Sequence, residues 1–92
     1  MKILIISETY NKGYDKLVEL YVKNQYNMKK VRENYFITKD NKEYKLIAIK
    51  DSKKILKGCK ADKIYVDFNI DAKTFIFYIF PIVKNWNKIE IF

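Results

Sequence analysis

The sequence predicts one small α/β domain spanning residues 1–92. It should be a two-layer or three-layer sandwich with a mostly parallel sheet, in the order β-α-β-β-α-β-α-β. Three observations carry this. Short β-branched runs alternate along the chain with segments of helical spacing. Ninety-two residues suffice for one core and no more. Two Gly and one Pro are too few for a linker-rich chain, while eight Tyr and six Phe supply the apolar area a small core needs.

The elements follow in order. Residues 2–7 (KILIIS) are short, apolar and β-branched, the pattern of a buried strand. Thr9 or Asn11 then caps a helix. Tyr10, Tyr14, Leu17, Val18, Tyr21, Val22 and Gln25 share one face of a helix over 10–25, with Lys12, Lys16, Glu19 and Lys23 outward. Gly13 weakens its first turns. Residues 27–30 break the pattern. Residues 31–38 read as a strand, 39–43 (KDNKE) as a turn and 44–50 as a second strand. Ser52 caps a short helix over 52–57, which Gly58 ends. Residues 63–68 form the next strand. The run TFIFYIF (74–80) suits either a helix or a returning hairpin strand. Asp71 as N-cap, with Phe75, Ile79, Ile82, Val83 and Trp86 on one face, favours a helix over 72–86 kinked at Pro81. Residues 88–92 (KIEIF) then close the sheet.

Composition excludes several chemistries. There is no histidine, so neither a Ser-His nor a Cys-His relay nor an imidazole zinc site can form. Cys59 is the only cysteine, which rules out an internal disulfide and suits a reducing compartment. Lys57 and Lys60 beside it would make its thiol reactive; the other reading is a small core residue behind a helix end. The opening MKILIISETY is too short and too soon polar for a signal peptide. The longest apolar run, 75–83, is far below the roughly 20 residues of a membrane span. A soluble cytoplasmic protein with no membrane partner is expected.

Two stretches, ILIISETY and ILKGCKADKIYVDF, together resemble the RecA-like core of phage terminases and DNA helicases. The resemblance covers roughly residues 3–22 and 52–68. In those families a strand leads into a helix after the nucleotide-binding segment. Later, a helix ending in glycine precedes a strand whose terminal aspartate reaches magnesium. Asp67 matches that aspartate. The departures are large: no G-x-x-x-x-G-K-[ST] occurs, and Phe68 stands where a water-activating glutamate belongs. The resemblance therefore implies a core fold without ATP hydrolysis, and Asp67 inherits no catalytic role. It also implies a small phage-type accessory protein, working in the host cytoplasm.

The net charge of +8 comes from 19 Lys and Arg against 11 Asp and Glu. It reads either as attraction to phosphate or an acidic surface, or as the codon bias of an A/T-rich genome. Lys50, Lys53, Lys54, Lys57, Lys60 and Lys63 form the densest basic stretch, and Lys29, Lys30 and Arg32 a second. If 52–57 is helical, Lys50, Lys53, Lys54 and Lys57 can share a face that grips phosphates. Tyr44 and Tyr65 would then stack on bases, or else pack within the sheet. Some of Phe75, Phe77, Tyr78, Phe80 and Trp86 exceed what one buried stripe holds and would offer anchors to a partner or a homodimer. Glu8, Asp67 and Asp71, at strand ends, either hold Mg²⁺ for phosphodiester cleavage or simply open helices.

Together these observations point to a non-enzymatic phage-type or mobile-element accessory protein. It would have no catalytic residue, metal or cofactor, and would bind a protein or nucleoprotein complex by occlusion, in the manner of anti-CRISPR proteins. The partner-binding set is Lys29, Lys30, Arg32, Lys50, Lys53, Lys54, Lys57, Lys60, Lys63, Tyr65 and Trp86. A stand-alone nucleic-acid binder and a Mg²⁺-dependent nuclease are the alternatives.

Overall fold

The computed structural model describes residues 1–50 and 53–92. In chain order the elements are β1 (Lys2–Ser7), α1 (Tyr10–Lys23), β2 (Met28–Val31), β3 (Tyr35–Thr38) and β4 (Glu43–Ala48). A 3-10 turn (Lys53–Leu56), β5 (Lys63–Val66), α2 (Ala72–Thr74), a π-turn (Phe75–Ile79), α3 (Phe80–Val83), a second 3-10 turn (Trp86–Lys88) and β6 (Ile89–Ile91) complete it.

β1 lies at the centre because its sequence is apolar on both faces. Ile3 and Ile5 point to one side of the sheet, Leu4 and Ile6 to the other, and all four are buried. Each such side chain stabilises the fold by about 1.5–3 kcal/mol. The six-stranded sheet runs β2-β3-β4-β1-β5-β6. β1 pairs in parallel with β4 and β5, and β5 in parallel with β6. β2, β3 and β4 form an antiparallel meander. The sheet is thus mixed, with three parallel and two antiparallel pairings. Parallel pairings are the majority, as expected, but the meander keeps the sheet from being purely parallel.

The antiparallel part has a local cause. Residues 31–38 were expected as one strand, but Arg32–Asn34 turn the chain and split it. Arg32 N–H donates to Tyr35 O at 2.9 Å across that turn. Residues 28–31 (MKKV) then become an edge strand inside the segment expected to break the pattern. Its side chains are mostly exposed, so no alternation marks it.

Helical segments cover both faces, giving three layers. α1 packs Leu17 and Leu20 against Ile3, Ile5, Leu46 and Phe36. The opposite face receives Leu56, Ile79 and Ile82. The crossover toward β4 passes over one face, and those toward β5 and β6 pass over the other, as a uniform right-handed sense requires. Thr9 caps α1, its side chain accepting from Lys12 N–H. The buried stripe of α1 is Gly13, Leu17 and Leu20. Tyr10, Tyr14, Val18, Tyr21 and Val22, expected inward, are exposed on its flank. Gly13 explains the difference. A Cβ there would come within 3.0 Å of Leu46 Cδ1 and Ser7 Oγ, so its missing side chain lets the helix approach β1 and β4.

The expected helix over 52–57 is one 3-10 turn, and its proposed cap Ser52 lies outside the described residues. Gly58 ends this segment at φ 77°, where a glycine is favoured. Residues 72–83 are helical, and the kink expected from Pro81 takes the form of the π-turn. Phe80 N–H reaches back five residues to Phe75 O. Pro81 has no N–H for the carbonyl of Phe77, so the turn before it widens.

Candidate functional site

The carboxyl ends of β1 and β5 diverge, since the chain leaves β1 toward β4 and leaves β5 toward β6. Such a switch point is the usual crevice of an α/β sheet. Here Asp67 fills it. Its side chain is 1% exposed, with Oδ2 accepting from Glu8 N–H at 3.1 Å and Oδ1 from Asn69 N–H at 2.9 Å. Ser7, also buried, donates its hydroxyl to Thr9 O at 2.6 Å. Lys12 Nζ lies 4.5 Å above the Phe68 ring and covers the mouth. The polar atoms at this end are engaged in tying loops together.

Asp71 caps α2, accepting from Thr74 N–H at 3.2 Å and from Thr74 Oγ1 at 2.6 Å. The Thr74 hydroxyl holds the Asp71 carboxyl below its ordinary range. Among the described residues no three His, Cys, Asp or Glu side chains gather to hold a metal ion. Glu8 contributes its backbone N–H to Asp67, not a side-chain contact.

The basic residues fall in separate places. Lys29, Lys30 and Arg32 are exposed on and just beyond the edge strand β2. Lys29 Nζ reaches Asn41 Oδ1 at 3.5 Å and Lys30 Nζ stands 5.8 Å over the Tyr35 ring. Lys50 is exposed and lines a shallow groove with Thr9, Tyr10 and Asn11 beside the start of α1. Lys53, Lys54, Lys57 and Lys60 are exposed along the segment leading to β5. A single 3-10 turn is too short to set Lys50, Lys53, Lys54 and Lys57 on one helical face, as the sequence led us to expect. Lys63 is committed elsewhere: it pairs with Glu90 at 3.3 Å and sits 4.7 Å over the Tyr65 ring. The hydrogen bond with Tyr65 is the main reason its pKa is raised. Tyr65 itself must be withdrawn as a stacking platform. It is 8% exposed on the α1 side of the sheet, as is Tyr44 at 7%, and neither presents a ring face to a base.

What the structure does present is an apolar surface on the helical layer beside β6. Phe68, Ile76, Phe77, Trp86 and Ile91 are each more than half exposed. Within the π-turn, the consecutive Ile76 and Phe77 both face outward while Ile79 stays buried. Trp86 lies beyond the helix end, where Lys84 turns the chain at φ 53°. Its ring stacks at 5.6 Å on Phe75 and lies 4.5 Å from Phe80. A groove of about 400 Å³ runs between Trp86, Phe68, Ile76 and Ile91, with Val66 and Ile70 among its lining. Trp86 was singled out from the sequence. Ile76 was missed as a surface residue because a hydrophobic periodicity drawn for a regular α-helix places no widened turn at 75–79, and Phe68 and Ile91 because they lie at strand ends outside that segment.

On the other flank of the π-turn lies a second groove of about 620 Å³. Leu56, Lys57, Cys59, Lys73, Phe77 and Tyr78 are among its walls. Cys59 is half-buried there, its thiol donating to Ile55 O at 3.2 Å. Lys73 carried no signal in the sequence, standing alone between Ala72 and Thr74. Among the described residues, no helix is long and apolar enough to cross a membrane. No family model, curated protein or solved structure matches this chain.

Proposed function

We propose that this is a non-enzymatic binding protein that docks on a protein or nucleoprotein partner through the Trp86 groove. One observation carries the reading: Phe68, Ile76, Trp86 and Ile91, all more than half exposed, surround a single apolar groove. A small domain with a thin stability margin gains nothing from leaving such area in water. Aromatic anchors of this kind dominate interface energetics. The partner surface is acidic or phosphate-bearing, because the chain carries +8 and Lys84 and Lys88 are exposed on either side of Trp86. The concrete version is a phage or mobile-element accessory factor that occludes a host-defence complex. The engagement of Asp67, Asp71 and Ser7 in structural hydrogen bonds supports a role without catalysis.

Trp86 is the only tryptophan, so its fluorescence reports on the groove. A partner captured from host lysate and purified should shift that emission and bind at least tenfold more weakly to Trp86→Ala. Substituting Lys29 and Lys30 by alanine, on the far edge of the sheet, should change affinity far less. A partner whose affinity is indifferent to Trp86 but lost with Lys29 and Lys30 refutes this reading.

A further inference from the structure

We propose that the second groove, between residues 56–59 and the helical segment 73–82, binds single-stranded nucleic acid directly. This goes beyond the docking role above, since it needs no protein partner and uses the other flank of the π-turn.

The groove has an apolar floor of Leu56 and Ile82, both buried. Phe77, 67% exposed, and Tyr78 supply aromatic walls. Lys57 and Lys73 stand among its lining, and among the described residues no carboxylate does. Lys53, Lys54 and Lys60 are exposed on the same connecting segment. Asp71, which caps the helical segment through Thr74, lies near Lys53 and offsets part of that one charge, leaving Lys57 and Lys73 in the lining.

This combination selects a ligand by its chemistry. Two lysines in the lining, with three more exposed on the adjoining segment, call for repeated negative charge. An exposed phenyl ring that buries little of itself in the core calls for a planar apolar face. A single strand offers both, with one phosphate per nucleotide and unstacked bases. A duplex offers the phosphates but hides the base faces. An acidic peptide offers carboxylates but no planar faces. The volume of about 620 Å³ lies in the range that holds a nucleotide-sized body.

The test uses fluorescein-labelled oligothymidylate and oligouridylate of about 15 nucleotides, followed by anisotropy at about 50 mM salt. Binding should weaken with salt, with a log–log slope of roughly −3 for four to five phosphate contacts. Phe77→Ala should lower affinity about tenfold. Lys57→Gln with Lys73→Gln should flatten the slope by about 1.4. Bound strand should also slow the reaction of the Cys59 thiol with an aromatic disulfide reagent, which places the ligand in this groove. Trp86→Ala should leave strand binding unchanged, so that failure here and failure of the docking role are read separately. Absence of binding at low salt overturns the proposal, as does full affinity in Phe77→Ala. Equal binding and equal Cys59 protection by a duplex or by a polyglutamate of matched charge also overturns it, the latter marking the groove as a site for acidic peptides.

Discussion

Replacing Asp67 separates a structural carboxylate from a functional one by the sign of a stability change. In the folded chain this side chain is 1% exposed and accepts two backbone N–H groups, from Glu8 and Asn69. Hydrogen bonds to a charged acceptor contribute about 1.5–3 kcal/mol each where water cannot replace them. Glu8 is half-buried and Asn69 exposed, so the first bond should carry most of the effect. Asp67→Ala removes both and should cost about 2–4 kcal/mol. Asp67→Asn keeps the shape but has one acceptor oxygen for two donors, and should cost about 1–2 kcal/mol. For a domain of this size each kcal/mol lowers Tm by roughly 4–8 °C. Urea and thermal unfolding followed by circular dichroism should therefore rank wild type above Asp67→Asn above Asp67→Ala, with the urea m-value unchanged. An Asp67→Asn variant as stable as wild type, or more stable, would refute the argument. A carboxylate held against its own stability is the mark of a functional site, and the Mg²⁺-dependent nuclease would return as the better reading.

Three further outcomes follow from the same geometry. Gly13→Ala should destabilise by about 1–2 kcal/mol in chemical denaturation, because overpacking against Leu46 and Ser7 outweighs the roughly 1 kcal/mol that alanine gains in helix propensity; a stabilised variant would show that α1 is free to shift. Thr74 and Thr38 hydroxyls hold the Asp71 and Asp40 carboxyls below their ordinary range, so the stability these acids add is complete above about pH 4 and is lost as pH falls through the depressed values. Asp71→Asn, which still caps a helix but carries no charge and does not titrate, should have a lower Tm than wild type at neutral pH and a shallower fall in acid, so that the two converge toward pH 3, whereas parallel acid limbs would contradict this assignment. Lys84→Gly should raise stability by about 1 kcal/mol in urea, since a side chain in the left-handed region at φ 53° is strained, and a loss of stability would mean that the lysine makes a compensating contact.

The legible parts of the fold were those whose residues repeat a burial pattern. β1 matches residues 2–7, and β4 and β5 lie within two residues of the expected strands, because each has a buried face that leaves an apolar imprint; β6, also within two residues, is half-buried at Ile89 only. Thr9, Gly58 and Asp71 were readable as punctuation, since capping and positive φ depend on one residue's chemistry. β2 was not legible. As an edge strand with a bulge between Met28 and Lys30 it buries almost nothing, and its turn to β3 uses Arg32–Asn34 without Gly or Pro. For the candidate site, sequence spacing pointed to Trp86 and the lysines of the 53–60 segment, all of which are exposed. It misjudged Tyr65 because alternation along a strand says which residues share a face, not which face a helix will cover. It missed Lys73 and Ile91 because their grooves are made by segments that meet only after the chain has crossed the sheet.

The central place of β1 has a consequence for how the chain is made. During translation its hydrophobic hexapeptide emerges long before either strand that will flank it, and the second flank arrives only with residues 63–66. At roughly 5–20 residues per second, that leaves a sticky segment with an open edge for several seconds. Overexpression should consequently favour insoluble material at high synthesis rates. Slower induction or a holdase chaperone should recover it, without any change in the stability of the finished protein.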